Sequence, residues 1–235
     1  MKKIFEKHET LFCILLIVLY VVINSFCVNN FGFTSCEGFI VNTVFSLSLI
    51  GIMLALKSTS YYGLIGVKDS KKYLYFIPLV IIATVNLWNG ININNSKSEI
   101  VFHILTMINI GFIEEIIFRG FLFRMMEKQN VKGAVHISAI TFGIGHIVNL
   151  LNGADLIPTL IQICYAISIG YLFVIIFCKS KSLIPCIITH SITNSLSIFS
   201  VENTLSLYIA PLVLTILPIL YALYLTKKIG EKHNS

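Results

Sequence analysis

The sequence predicts an all-α fold, a polytopic membrane bundle of about eight transmembrane helices, and three observations predict it. Hydrophobic residues make up 56% of the 235 residues and charged residues only 12%, about half the roughly 25% that a soluble domain carries on its surface. Mean hydropathy is +0.87. Apolar runs of about 20 residues, the length needed to cross a hydrocarbon core, recur along the chain. The same composition excludes disorder and collagen-like repeats, because apolar content is high while Gly (14) and Pro (5) are few. The six cysteines, Cys13, Cys27, Cys36, Cys164, Cys178 and Cys186, lie scattered and mostly inside apolar runs. They form neither a C-x-x-C pair nor a disulfide framework and read as small buried hydrophobes.

The runs are Leu11–Val28, Phe39–Leu56, Tyr73–Leu87, Ile100–Met126, Val131–Leu151, Leu156–Phe177, Leu183–Phe199 and Leu205–Leu225. Tyr73–Leu87 is short for a span, and Leu183–Phe199 turns polar in its second half. The first run follows Lys2, Lys3 and Lys7, but it exceeds the about 7–15 residues of a signal-peptide core and no small-residue cleavage site follows, so it reads as a retained helix.

Charge placement supports the count and sets an orientation. With a cytoplasmic N-terminus, Lys2, Lys3 and Lys7 lie inside, as do Lys57, Lys68, Lys71 and Lys72, and then Arg119, Arg124, Lys128 and Lys132. Lys179, Lys181, Lys227, Lys228 and Lys232 also fall inside, leaving Lys97 alone of the 17 Lys and Arg outside. This is the asymmetry of the positive-inside rule, and it predicts a multi-pass cell-membrane protein with both termini cytoplasmic. The formal net charge of +6 then reflects topology and contact with anionic headgroups of the bilayer, and no nucleic-acid partner is expected.

Ionisable residues inside spans carry the chemistry, since each costs about 2.5–3.5 kcal/mol at mid-helix on insertion scales. The fourth run holds Glu114, Glu115 and Arg119, the fifth His146, and the seventh His190 with Asn194. Glu115 and Arg119 are four residues apart on one helical face, acid before base, the favourable order for a pair. Adjacent residues lie about 100° apart around a helix, so Glu114 is expected to point away and lack a local partner, which suits a proton acceptor. Phe142 and His146 share a face, as do His190 and Asn194. At about 1.5 Å per residue, Glu114 lies about 18 Å, His146 about 21 Å and His190 about 11 Å from the inner ends, close enough to meet in one cavity. His103 and His136 read as interfacial, as do Tyr61, Tyr62 and Trp88. Phe112, Phe118, Phe121 and Phe123 read as packing or lipid-facing residues.

These residues carry a resemblance. Glu114-Glu115-x-x-x-Arg119, Phe142-x-x-x-His146 and His190-x-x-x-Asn194 resemble the three motifs of the CAAX protease and bacteriocin-processing (CPBP, or abortive-infection) family, in order over about residues 100–200. The stretch Tyr61–Lys72 resembles the amphipathic lead-in of bacterial members. Members are intramembrane endopeptidases, including the eukaryotic enzyme that removes the tripeptide from prenylated CAAX proteins. The resemblance implies that Glu114 with His146 activates a water and that His190 and Asn194 hold the oxyanion. Glu115, Arg119 and Phe142 are implied as supporting residues. It also implies residues 1–99 as N-terminal helices and lead-in, 100–200 as the catalytic core, and 201–235 as a last helix and basic tail. No required cofactor is the favoured reading. Zinc remains the alternative, held by Glu114, His146 and His190.

Other protease signatures are absent: His8-Glu9 does not extend to H-E-x-x-H, and no serine sits in a G-x-S-x-G elbow. The expectation is an endopeptidase acting on a membrane-associated peptide or protein. The alternatives are a non-catalytic bacteriocin-immunity or binding protein on the same fold, and a proton-coupled transporter, against which the lack of inverted repeats argues.

Overall fold

The computed structural model describes residues 2–56, 58–67, 76–201, 203 and 205–230, with side chains beyond residue 4 and outside 205–206 and 228–230. The start of the third expected span, the lead-in's three basic residues Lys68, Lys71 and Lys72, and Lys232 lie outside the described residues. Within them the chain is helical, without strands. A short α1 (Lys2–Lys7) precedes α2 (Glu9–Asn30), α3 (Cys36–Ala55), α4 (Ile77–Leu87) and α5 (Lys97–Glu127). Then follow α6 (Val131–Leu151), α7 (Leu156–Ser180), α8 (Ile184–Phe199) and α9 (Ala210–Gly230). Among the described residues, six helices are long and apolar enough to cross a membrane; α4 and α8, the two whose sequences are short or part-polar, are the shorter ones.

Local chemistry fixes the helix ends. Ser35 caps α3 through Gly38 N at 2.9 Å, and Asn130 caps α6 through Gly133 N at 3.1 Å. Ser96 and Glu99 form a reciprocal capping box at the start of α5, satisfying two otherwise orphan donors. Pro78 and Pro185 sit in the first turns of α4 and α8, where a missing N–H costs nothing.

The packing is inside-out relative to a soluble bundle. Along α2, Leu11, Leu15, Val18, Val22 and Phe26 are exposed while Cys13, Leu16, Tyr20 and Cys27 are buried, which leaves an apolar outer face for lipid. The most extensive interhelical contacts run between α6 and α7, α7 and α9, α5 and α8, and α3 and α5. Glycines set two of these distances, as small residues do where membrane helices approach closely. A Cβ at Gly143 would stand 2.8 Å from the backbone nitrogen of Ile167 on α7, and one at Gly111 would stand 2.9 Å from that of Ser191 on α8. The second approach brings α8 up to the middle of α5, and the first seats α6 on α7.

α5 itself changes register there. Residues Ile116–Phe123 form a π-helical stretch in which every residue is buried; such stretches recur at functional sites. Phe118, Phe121 and Phe123 are core, settling their reading as packing residues, while Phe112 is only partly buried.

Candidate active site

The α5 π-stretch begins one residue after Glu114 and Glu115, and it separates two adjacent acids into different surroundings. The Glu115 side chain is fully buried and accepts a hydrogen bond from Arg119 Nη1 at 3.1 Å. The guanidinium is equally buried and lies 4.2 Å over the Phe142 ring and 5.8 Å from that of Phe173. The expected ion pair forms, with α6 and α7 supplying aromatic faces for the cation.

Glu114 keeps 14% of its side-chain surface. Its partners come from other helices and not from its own: the Tyr20 hydroxyl donates to its Oε1 at 2.5 Å, and His190 Nε2 lies 3.3 Å from its Oε2. His190 Nδ1 meets Glu115 Oε1 at 3.0 Å. The helical angle between the acids is as expected. It makes them straddle one imidazole from α8 instead of sending Glu114 to an empty sector. A neutral imidazole donates from one nitrogen and an imidazolium from both. Charging His190 therefore completes both contacts and brings Glu114, Glu115, Arg119 and His190 to zero net charge.

His146 sits where α6 loosens into turns after Gly145. Its Nδ1 lies 3.1 Å from the Phe142 carbonyl, and its ring meets the Phe142 ring edge-on at 5.2 Å. Phe142 also packs edge-on against His190 at 5.7 Å, so this one aromatic spaces the two histidines. Glu114, Phe142, His146, His190 and Asn194 all line one cavity of about 330 Å³. A second cavity shares Glu114, Phe142 and His146 and reaches Gly145 and Val148. The structure thus brings together all the predicted site residues, Glu115 and Arg119 forming the buried support behind the cavity.

Some members of this constellation were not foreseen. Tyr20, on α2, lies 11 residues past Glu9, or about 17 Å along the helix, near the depth estimated for Glu114. That match is the one sequence signal that could have found it. His103 is buried, not interfacial, and its Nε2 lies 3.2 Å from the Asn194 carbonyl and 3.3 Å from Ser197 Oγ. It steadies the last turn of α8, which carries Asn194. Tyr62 is likewise buried. Tyr61 and Trp88 are exposed, and His136 stacks on Tyr171 at the exposed face of α6. The cysteines are all free, with Cys13, Cys27 and Cys186 buried but Cys36 and Cys164 exposed.

Fold and site together define a multi-pass helical membrane protein with a cluster of acids and imidazoles inside the bundle. Residues 96–196 match the family described as type II CAAX prenyl endopeptidase Rce1-like, the family that the three motifs resemble. No curated protein and no solved structure matches the chain.

The zinc alternative can be tested on the donor set. Among the described residues, no three His, Cys, Asp or Glu side chains gather in a group that could hold a metal ion. His190 turns one nitrogen to each glutamate, and His146 turns Nδ1 to its own helix backbone. Glu114, His146 and His190 do not fit a zinc site in this arrangement.

Proposed function

We propose that this chain is an intramembrane endopeptidase in which Glu114, with His146, activates a water for attack on a peptide carbonyl, without a metal. The observation that carries this reading is the placement of Glu114: an acid fixed at both oxygens, at the wall of a cavity that His146 and Asn194 also line.

Glu114 takes a proton from the water as its oxygen bonds to the scissile carbon, and His146 orients that water from across the cavity. Charge develops on the carbonyl oxygen in a low-dielectric site, where Asn194 Nδ2 donates and His190 Nε2 joins it once Glu114 has taken up the proton and releases that contact. Collapse breaks the C–N bond, and the proton held by Glu114 passes to the leaving amine. One water is consumed, and a carboxylic acid and an amine form. Tyr20 keeps Glu114 in one rotamer, while Glu115 and Arg119 hold α5 and, through Glu115, the second nitrogen of His190. Residues 1–99 would supply a wall and an amphipathic lead-in, 100–200 the catalytic core, and 201–235 a closing helix and basic tail. Both termini would face the cytoplasm, as the placement of Lys and Arg favours. The partners are the bilayer and a membrane-associated peptide or protein substrate, with no nucleic acid.

The test is peptide cleavage by purified protein in proteoliposomes, read by mass spectrometry. Glu114→Gln is expected to lower the rate about 10²- to 10⁴-fold, the usual span for loss of a general base, and His146→Ala to lower it as well, both proteins staying monodisperse. Cleavage retained by both variants would contradict this mechanism, and an immunity function that survives both changes would favour a binding role for the fold.

A further inference from the structure

Resting on the endopeptidase reading above, we propose that His103 is a positioning residue for the reaction. From α5 it holds the backbone of Asn194, and through that backbone it aims the Asn194 carboxamide at the carbonyl oxygen under attack. His103 and Glu114 are 11 residues apart on α5, three turns to within about 20°, so they share one face of the helix. The cavity residues Met107 and Ile110 lie between them. α8 is met at both ends of that face. Glu114 reaches His190 at 3.3 Å, and His103 Nε2 lies 3.2 Å from the Asn194 carbonyl.

Asn194 lies where α8 runs out of regular partners. Carbonyls in the last turn of a helix lack the amide four residues on. Here Ser197 N closes back on the Asn194 carbonyl by the tighter three-residue step, as the helix passes into the 3₁₀ turn Ser197–Phe199. The Ser197 hydroxyl also donates to that carbonyl, at 2.7 Å. A carbonyl only accepts, so His103 presents Nε2–H to it, with Ser197 Oγ 3.3 Å away as a second acceptor. His103 is buried, so leaving that N–H without an acceptor would be costly. The Asn194 carboxamide, by contrast, meets no hydrogen-bond partner among the described residues. Its direction follows from the backbone that His103 and Ser197 hold.

The rest of the α5–α8 contact explains why one donor decides the aim. Ser191 and Ser195 form a stripe one residue, about 100°, beyond the stripe of His190 and Asn194. The serine stripe seats on α5. Gly111 leaves room for Ser191, whose hydroxyl donates to the Ile108 carbonyl at 3.4 Å, and Ser195 donates to the Ile104 carbonyl at 3.4 Å. Seating it turns His190 and Asn194 toward the cavity that both line. Both serine contacts are long for O–H···O bonds, so they hold the far end of α8 loosely, and His103 is the tie that closes that end. Without it α8 stays anchored at His190 by both glutamates, but its last turn, and Asn194 with it, drifts. Loss of His103 therefore costs the aim of Asn194 more than it costs the fold.

The test uses purified full-length protein in proteoliposomes and the peptide cleaved fastest from two pools of apolar dodecapeptides. One pool carries an S-farnesylated cysteine four residues from the carboxyl end and the other does not. His103→Leu is expected to lower kcat about 10- to 100-fold, no more than removal of an oxyanion donor itself costs, with KM near wild type. His103→Gln, whose Nε2 can take the place of the imidazole N–H, should recover most of that loss. In an Asn194→Ala background His103→Leu should have little further effect, because the group it aims is gone. A merely structural role would lower the rate equally in both backgrounds. Ser197→Ala, run through the same cycle, should give a smaller loss with the same dependence on Asn194, and it decides the matter if His103→Leu does not stay monodisperse. A wild-type kcat in His103→Leu, or losses that multiply in the double variant, overturn the proposal while leaving the hydrolase intact. Failure of the wild type to cleave either pool, with Glu114→Gln no different, overturns the hydrolase reading and this proposal with it.

Discussion

The two halves of the bundle around α5 are built on opposite terms. From Glu115 toward Glu127 the helix is packed solid: Arg119, Phe121, Phe123, Phe173 and Phe177 are among the largest fully buried side chains in the protein. From Glu114 toward Lys97 the same helix faces a cavity edged with carboxamides. One residue separates the regimes. Glu115, in the dry half, is closed off by Arg119 and by one nitrogen of His190. Glu114, in the hollow half, is held by Tyr20 and the other nitrogen but still reaches the cavity. The same carboxylate chemistry thus serves structure on one side and, in our reading, reaction on the other, and what divides the roles is packing, not residue type.

Breaking the dry half should have the larger effect on stability. Arg119→Ala leaves Glu115 as an uncompensated buried charge, and removing one partner of such a pair costs about 3–5 kcal/mol. The Cys186 thiol, fully buried, can report this: its labelling during a thermal ramp in detergent, followed by peptide mass spectrometry, is expected to begin at a markedly lower temperature than in the wild type. Gly143→Ala acts at the helix contact that carries His146 toward the site. A methyl 2.8 Å from Ile167 N forces α6 and α7 apart and is expected to cost about 1–3 kcal/mol, the usual range for overpacking. The same ramp measures it, and cleavage should fall because His146 moves with α6.

Tyr20→Phe is the mildest change and the most selective. It keeps the ring stacked on Phe45 (centroids 6.1 Å apart) and removes only the hydroxyl that faces Glu114. The loss of one hydrogen bond to a charged group, about 1.5–3 kcal/mol, is expected to appear in kcat, with KM and the unfolding onset near wild type. A rise in KM instead would assign Tyr20 to substrate contact.

Much of this contrast was legible in the sequence. Ionisable residues stand out in apolar runs because lipid makes them expensive, so Glu114, Glu115, Arg119, His146 and His190 declared themselves, and helical spacing paired Glu115 with Arg119. Of the short Tyr73–Leu87 run the described part is the helix Ile77–Leu87, and the part-polar Leu183–Phe199 run became Ile184–Phe199, both below spanning length. What stayed hidden depends on contacts between helices. An angle of about 100° gives the direction of Glu114 but not the imidazole waiting there. Tyr20 looks like any aromatic in a lipid-facing run until α2 is docked on α5. His103 reads as a belt residue until α8 covers it. The π-stretch Ile116–Phe123 follows from no local propensity in this chain, whose apolar residues suit an ordinary α-helix equally well.

The division between the two acids can be measured in one experiment: Glu114→Gln and Glu115→Gln side by side, each scored for peptide cleavage per folded molecule and for onset of Cys186 labelling. The account predicts that Glu114→Gln unfolds near the wild-type temperature and does not cleave, whereas Glu115→Gln, with Arg119 left uncompensated, unfolds early. Cleavage by Glu114→Gln at the wild-type rate, or a wild-type unfolding onset for Glu115→Gln, would contradict it.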